Sequence, residues 1–510
     1  MYRSGTNCGV RSMASHRIST HPPLLPHPRP RPRSRCLNDQ PTVKYLILIL
    51  VLFAAPVAAQ DLPAVLSEED LLRLVAEHHP LAVRADLQRD RARAVLREAR
   101  GGFDPKLYGD LSQKYFKGTR YYSLAEGGLK VPTWFGVELN AAYERNGGYY
   151  LNPENTVPDE GLFAAGLSVS LGQGLFFDQR RAELQRARIY QRATGAERLL
   201  QINELLYEAG SRYWEWAGAQ GAVSVYTEAV ELARARYAAV VSSAALGDRP
   251  AIDTLEARIL VQNRLLGLES ARLEAANAAA ALNAFLWLDG VIPLELEAST
   301  RPPDPAAVVI APLMPLSAGL TNPALTLTRL KLEDLEVDER LQLEQLKPRL
   351  DLKYNALISG SAVQPLENYS ANDYKWGISF SQSLLLRKER GKLQLTRIKL
   401  SETQLELSDK IAQLNAKVEQ AENEANVTVA QYALATRNVS DYSRLLAGER
   451  ELFQAGESSL FLVNSREVAF IDASLKQLEL MVKHRKAGLA RNFAAGQTAP
   501  PLVGGVVPNE

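Results

Sequence analysis

The chain has 510 residues, 46% of them apolar and 23% charged, a composition that excludes wholesale disorder and collagen-like fibre. Its first 59 positions hold eight of the 59 basic residues and one of the 58 acidic residues, which leaves 51 against 57 and a net charge of −6 for the rest. A mildly acidic chain is not built for nucleic acid, whose phosphates are neutralised by Lys and Arg; and because Cys8 and Cys36 both lie in the first 59 residues, the remainder has no disulfide, thiolate ligand or cysteine nucleophile.

Residues 1–59 read as an N-terminal extension followed by a signal peptide. From Lys44 the sequence KYLILILVLFAAPVAAQ gives a positive residue, a short apolar run and a small-residue site, with cleavage placed after Ala59. Residues 1–42 resemble no export element, and Val43 is an alternative start. A membrane anchor is the competing reading, but the run is shorter than the roughly 20 residues a spanning helix needs. Further on, the best apolar stretch, Val308 to Leu316, is short and carries Pro312 and Pro315. Any crossing of a membrane therefore falls to strands.

The remainder is internally duplicated. HPLAVRADLQRDRARAVLREARGGFDPKL from His79 corresponds to NPALTLTRLKLEDLEVDERLQLEQLKPRL from Asn322, which pairs Pro80 with Pro323 and Pro105 with Pro348 without a gap. GLSVSLGQGLFFDQRRAELQRARI from Gly166 corresponds to GISFSQSLLLRKERGKLQLTRIKL from Gly377, and a glycine-marked break recurs at Gly247-Asp248 and Gly456-Glu457. These matches divide the chain into a first repeat over 60–315, a second over 316–494 and a disordered tail over 495–510.

Each repeat is predicted to hold a long helix flanked by shorter ones. The first short helix starts near Ser67, with Ser67 and Asp70 as a capping pair, and its counterpart near Leu316. In the long helices Leu199, Ile202, Leu206, Ala209, Tyr213 and Trp216, and then Leu407, Ile411, Leu414, Val418, Ala421 and Ala425, step alternately by three and four as in a coiled-coil seam. No proline interrupts Lys392 to Ala455, so one helix of about 60 residues, roughly 90 Å long, is allowed. The short stretches Ala318–Leu346 and Ser459–Arg491 together approach that length, so they can stack end to end beside it.

Four strands are predicted: Lys106–Phe116, Phe163–Leu175, Arg349–Ile358 and Lys375–Leu385. Four cannot close a barrel, and an open edge is not tolerated in lipid, so the chain must pool strands with copies of itself. The first repeat also has an excess, centred on residues 117–160, with Trp134, Phe135, Tyr143, Tyr149 and Tyr150. An added hairpin outside the membrane is preferred over an enlarged external loop.

No chemistry of catalysis emerges. Glu77, His78 and His79 suggest a metal site, but adjacent histidines on a helix diverge by about 100°. No nucleophile constellation accompanies Asp90 and Asp104, GQG at Gly172 is too weak for a phosphate loop, and of the two tryptophans Trp216 is a seam residue and Trp214 a contact at the bundle surface. No cofactor is implied.

A signal peptide, a duplicated helix-strand-strand-helix-helix order, long heptad helices and glycine-marked turns together resemble the TolC-like outer-membrane efflux proteins of Gram-negative bacteria, over Leu66 to about Ala494. The resemblance implies a fold of mixed α and β, with long coiled-coil hairpins forming a periplasmic tunnel and four strands per chain entering a shared trimeric twelve-stranded barrel in outer-membrane lipid. It implies a homotrimeric exit duct of an efflux or type I secretion system, with a periplasmic adaptor and an inner-membrane transporter as partners. A periplasmic adaptor or an envelope coiled-coil scaffold is the alternative.

The resemblance places the tip of the tunnel at the two glycine breaks, so Gly247, Asp248, Arg249, Gly456, Glu457 and Ser458 are expected to dock the adaptor. Asp253 and Glu256, with Arg466 and Glu467, are expected to gate or to select. The family's usual second-half aspartates and clasping arginine are replaced here by Leu462, Ser465 and Ser458. Tyr237 lies ten residues before Gly247 and Phe453 three before Gly456, a difference of one heptad.

Overall fold

A computed structural model describes residues 63–314, 316, 322–360 and 369–497. The expected signal peptide lies outside them, as does most of the C-terminal tail. Among the described residues, seven helices and one large sheet carry the fold. The helices are α1 (Glu68–His78), α2 (Pro80–Gly101), α3 (Gln179–Ala245), α4 (Ala251–Asn283), α5 (Pro323–Glu344), α6 (Arg387–Gln454) and α7 (Leu460–Ala495). The strands are β1 (Lys106–Phe116), β2 (Thr119–Pro132), β3 (Val137–Gly147), β4 (Leu162–Ser170), the two-residue pair β5 (Trp287–Leu288) and β6 (Ile292–Pro293), β7 (Arg349–Ser359) and β8 (Tyr369–Ser381).

The duplication is visible in the caps. α2 and α5 are both 22 residues long with proline in the first turn. Each is preceded by a side chain that accepts from the second helical amide, His79 for Leu81 and Asn322 for Ala324. The second-copy helix thus opens at Pro323, where proline loses no helical hydrogen bond, rather than near Leu316. Ser67 caps α1 as its spacing implies: its hydroxyl accepts from the Asp70 amide and donates to the Asp70 carboxylate.

The long helices exceed the sequence expectation. α3 has 67 residues and α6 has 68, each about 100 Å at 1.5 Å per residue. α2 and α4 lie along α3, and α5 and α7 lie along α6, so two short helices do cover one long one in each repeat. The core sits where α1, the middle of α3 and the end of α7 meet: Ile202, Leu206, Ala209, Tyr213 and Trp216 of the predicted seam are buried with Leu71, Val75, Leu282 and Met481. Leu199, the first member of that seam, is exposed. The buried Tyr213 hydroxyl is satisfied by donating to the Leu66 carbonyl at 2.9 Å. Trp214, expected at the bundle surface, is buried too, beneath the Arg485 guanidinium.

The large sheet is antiparallel throughout, in the order β1-β2-β3-β4-β7-β8. It contains six strands, which corrects the count of four. The four expected strands are present, β4 and β8 ending some residues earlier than predicted, and the excess segment supplies β2 and β3 between β1 and β4. The added hairpin is real, but it continues the sheet instead of standing outside it. No helix among the described residues is long and apolar enough to cross a membrane.

Candidate functional site

Two regions can do work in a duct: the wall of the sheet and the far end of the helical hairpins. The register of the sheet sorts its side chains into two faces. Across neighbouring strands Leu107 stands beside Leu129, Leu129 beside Ala141 and Ala141 beside Ala165; Ala165 then stands beside Ala356, and Ala356 beside Tyr374. The same face carries Leu111, Leu139, Leu167, Tyr354, Trp376, Ile378 and Phe380, all exposed large apolar side chains in the single chain. The opposite face carries Asp110, Lys114, Glu126, Lys130, Asn140, Glu144, Asp351, Lys353, Asn355 and Lys375. Apolar outside and polar inside with period two is the pattern of an outer-membrane barrel wall with a wet lumen.

At the other extreme of the hairpins, α3 passes to α4 and α6 passes to α7 through closely similar turns. Gly247 has φ +85° and Gly456 φ +80°. In each case the next amide reaches back five residues, Asp248 to the Ser243 carbonyl at 3.0 Å and Glu457 to the Leu452 carbonyl at 2.9 Å. These are Schellman closures, which satisfy the last helical carbonyls and require a left-handed residue at the glycine. The new helices start at once, α7 with Ser459 accepting from the Leu462 amide.

The two turns touch. The Arg249 guanidinium lies over the Phe453 ring, 4.0 Å from its centroid, and donates to the Phe453 carbonyl. It also faces Asp253 at 3.7 Å, so Asp253 pairs within its own turn. Tyr237 and Phe453 pack against one small cluster, Val240, Ala257 and Leu460. Ser458 donates to the buried carboxylate of Glu449, which also faces Arg466 at 3.7 Å. Asp248, Glu256 and Glu457 are exposed.

Glu467 is not at the surface: it is 1% exposed and lies between Arg236 of α3 and Arg264 of α4. Arg264 also donates to Asn464 at 3.3 Å. Nearby, burial and then the charge of Arg236 push the Arg450 guanidinium below its ordinary pKa. Sequence reasoning singled out Glu467 but missed both of its arginines. A signal for them existed, since Arg264 falls in step with the buried Ala257, Leu260, Leu268 and Ala271 and is therefore a charge on a seam. His78 and His79, considered as metal ligands, instead face Asp289 and cap α2.

A one-sided apolar sheet joined to paired helices of about 100 Å is the architecture expected of a protomer of an outer-membrane channel. Residues 316–483, most of the second repeat, match the family model described as outer membrane efflux protein. No curated protein matches the chain. Among solved structures it is similar in fold to a membrane protein from Pseudomonas aeruginosa (15% identity, TM-score 0.62, 86% of this chain and 92% of that one). It is likewise similar to the CmeC outer-membrane channel of Campylobacter jejuni (14%, 0.58, 84% and 86%) and to the open state of the MtrE outer-membrane channel of Neisseria gonorrhoeae (13%, 0.58, 84% and 88%). The resemblance to TolC-like outer-membrane efflux proteins is thus upheld, by sequence in the second repeat and by fold along most of the chain.

Proposed function

We propose that the protein is the exit duct of an efflux or type I secretion assembly, a homotrimer seated in outer-membrane lipid and joined at its helical tip to a periplasmic adaptor and an inner-membrane transporter. The observation that carries this reading is the sheet itself. Its apolar face suits lipid and its charged face suits water, while among the described residues β1 and β8 each keep an open edge within one chain. Unpaired edges are forbidden in a bilayer, so the chain needs copies of itself to close. Neither a soluble adaptor nor a coiled-coil scaffold has a use for such a sheet. The duct is passive, and no catalytic role is proposed.

At the tip, the residues proposed to meet the adaptor are Gly247, Asp248, Arg249, Gly456, Glu457 and Ser458. Arg466, acting through Glu449, and Glu467, acting through Arg236 and Arg264, are proposed to set how tightly the two hairpins are held together. Asp253, engaged with Arg249, and the exposed Glu256 are proposed to bias the passage of ions. Purified protein reconstituted in a planar bilayer tests the reading: discrete conductance steps from a trimer support it, and a non-conducting, water-soluble monomer overturns it.

A further inference from the structure

Within the trimeric reading above, on which this step rests, the inserted hairpin changes the barrel. We propose that β2 and β3 cross the membrane as full members of the wall, so that three chains close eighteen strands instead of twelve. First, the hairpin runs the height of the sheet. Its inner turn, Thr133–Gly136, lies at the level where the sheet meets the helices: Glu138 pairs with Arg180, in the first turn of α3, at 3.2 Å. Its register starts level with the foot of β1, Lys130 opposite Lys106, and continues to Thr119 opposite Phe116. With 14 and 11 residues, β2 and β3 have the length that a tilted strand needs to span roughly 25 Å of apolar layer.

Second, the apolar face does not stop at the hairpin. Ala125, Leu129 and Val131 of β2 and Leu139, Ala141 and Tyr143 of β3 stand in register between Leu107 and Leu111 on one side and Phe163, Ala165 and Leu167 on the other. A hairpin held in water would have no reason to keep that face apolar while placing Glu126, Lys130, Asn140 and Glu144 on the other. Third, exposed aromatic side chains mark both of its ends, Trp134 and Phe135 at the inner turn and Tyr149 and Tyr150 at the outer. Aromatic girdles at the two interfaces are the signature of a membrane-spanning wall.

The geometry also closes. The insertion adds an even number of strands, so β8 of one chain still runs antiparallel to β1 of the next. Six strands spaced ~4.8 Å apart and tilted ~40° cover an arc of ~38 Å. Four helices abreast at interaxial distances of ~8–10 Å cover ~32–40 Å, so the wider barrel matches the helical cylinder beneath it. The mouth is then about one and a half times as wide as a twelve-stranded one, and its lumen gains the charges of the hairpin.

Because the chain after Ala59 has no cysteine, single cysteines provide a clean test. Ala125→Cys, Leu129→Cys and Ala141→Cys report the lipid face of the hairpin; Glu126→Cys, Lys130→Cys and Asn140→Cys report its lumen face; Leu167→Cys and Ile378→Cys are controls on β4 and β8. In outer-membrane vesicles a charged, membrane-impermeant methanethiosulfonate should modify the lumen set at least tenfold faster than the lipid set, and native mass should give three chains. Modification of both hairpin sets alike while the two controls stay protected would overturn the proposal and leave the duct intact. Modification of the controls as well would overturn the duct. Two chains per particle would make twelve strands and overturn the count.

Discussion

Glu467 and Arg264 meet at 3.4 Å inside the helical bundle, on α7 and α4, and the opposite side of the same carboxylate is held by Arg236 of α3. The interaction joins the first-repeat hairpin to the second at a seam position otherwise filled by Val463 and Ile471. Removing one partner of a buried ion pair leaves the other charge uncompensated and costs about 3–5 kcal/mol. Glu467→Ala is therefore expected to lower the temperature at which the purified protein unfolds in detergent and, if it forms the proposed duct, to raise its bilayer conductance. Glu467→Gln, which keeps the shape, should do less of both. Equal heat resistance of Glu467→Ala and the parent would show that the cluster does not hold the hairpins together.

The two tip glycines provide a separate prediction because, among the described residues and apart from each glycine's chain neighbours, no atom lies within 4 Å of where a Cβ would be added at either one. Substitution there costs backbone conformation and not space. A β-branched residue forced to φ near +80° should lose about 1–2 kcal/mol, whereas asparagine tolerates that region. Gly456→Val and Gly247→Val are expected to weaken chemical cross-linking of the tip to the proposed adaptor and to reduce export, and Gly456→Asn to retain most of both. Immunoblotting for protein level separates this from loss of folding. Full export by Gly456→Val at normal abundance would remove the tip from the proposed docking surface.

His484 makes the acid sensitivity of the bundle testable. Burial chiefly, with the charge of Arg485, holds it below its ordinary pKa of 6.5, and its Nδ1 sits 3.2 Å from the Thr428 hydroxyl and 3.3 Å from the Ala425 carbonyl. Burial also depresses His79. A histidine that is neutral when folded but protonated when unfolded favours the unfolded state as pH falls. Its stabilising effect is complete above the unfolded pKa and declines from about pH 7 downward. Thermal unfolding followed by circular dichroism should show a midpoint that falls between pH 7.5 and pH 5.5, with a shallower fall in His484→Gln. An unchanged slope in that variant would assign the acid sensitivity elsewhere.

The sequence made the helices legible because a three-four repeat of apolar residues persists over many turns, and Tyr213 and Trp216 sit where that repeat puts them. It made the sheet less legible. In β2 the pair Gly127-Gly128 and Pro132 look like turn residues, yet Gly128 lies inside the strand, where an added Cβ would strike the Tyr108 ring. Leu124 and Ala142, on the charged face of the sheet, also blur the alternation, because the inner face proposed for the wide barrel tolerates both polar and small apolar groups. At the tip the glycines announced themselves through their spacing. The partners of Glu467 did not, since Arg236 and Arg264 are 231 and 203 positions away and only packing brings them together.

The contact between the two tip turns provides the last prediction. Arg249 uses its planar guanidinium in two ways, stacked over the Phe453 ring and hydrogen-bonded to the Phe453 carbonyl, while Asp253 faces it from the next turn of α4. A cation over an aromatic face gives about 0.5–2 kcal/mol, and lysine, which lacks the plane, recovers only the charge. Arg249→Lys and Phe453→Leu should each loosen the tip, and together they should cost less than the two effects added, because both remove one interaction. The measurement is channel noise and mean conductance of the reconstituted protein, compared across the parent, the two single variants and the double variant. Strict additivity would mean that Arg249 and Phe453 act independently, and the contact between the first and second tip turns would then have no part in holding the tunnel end together.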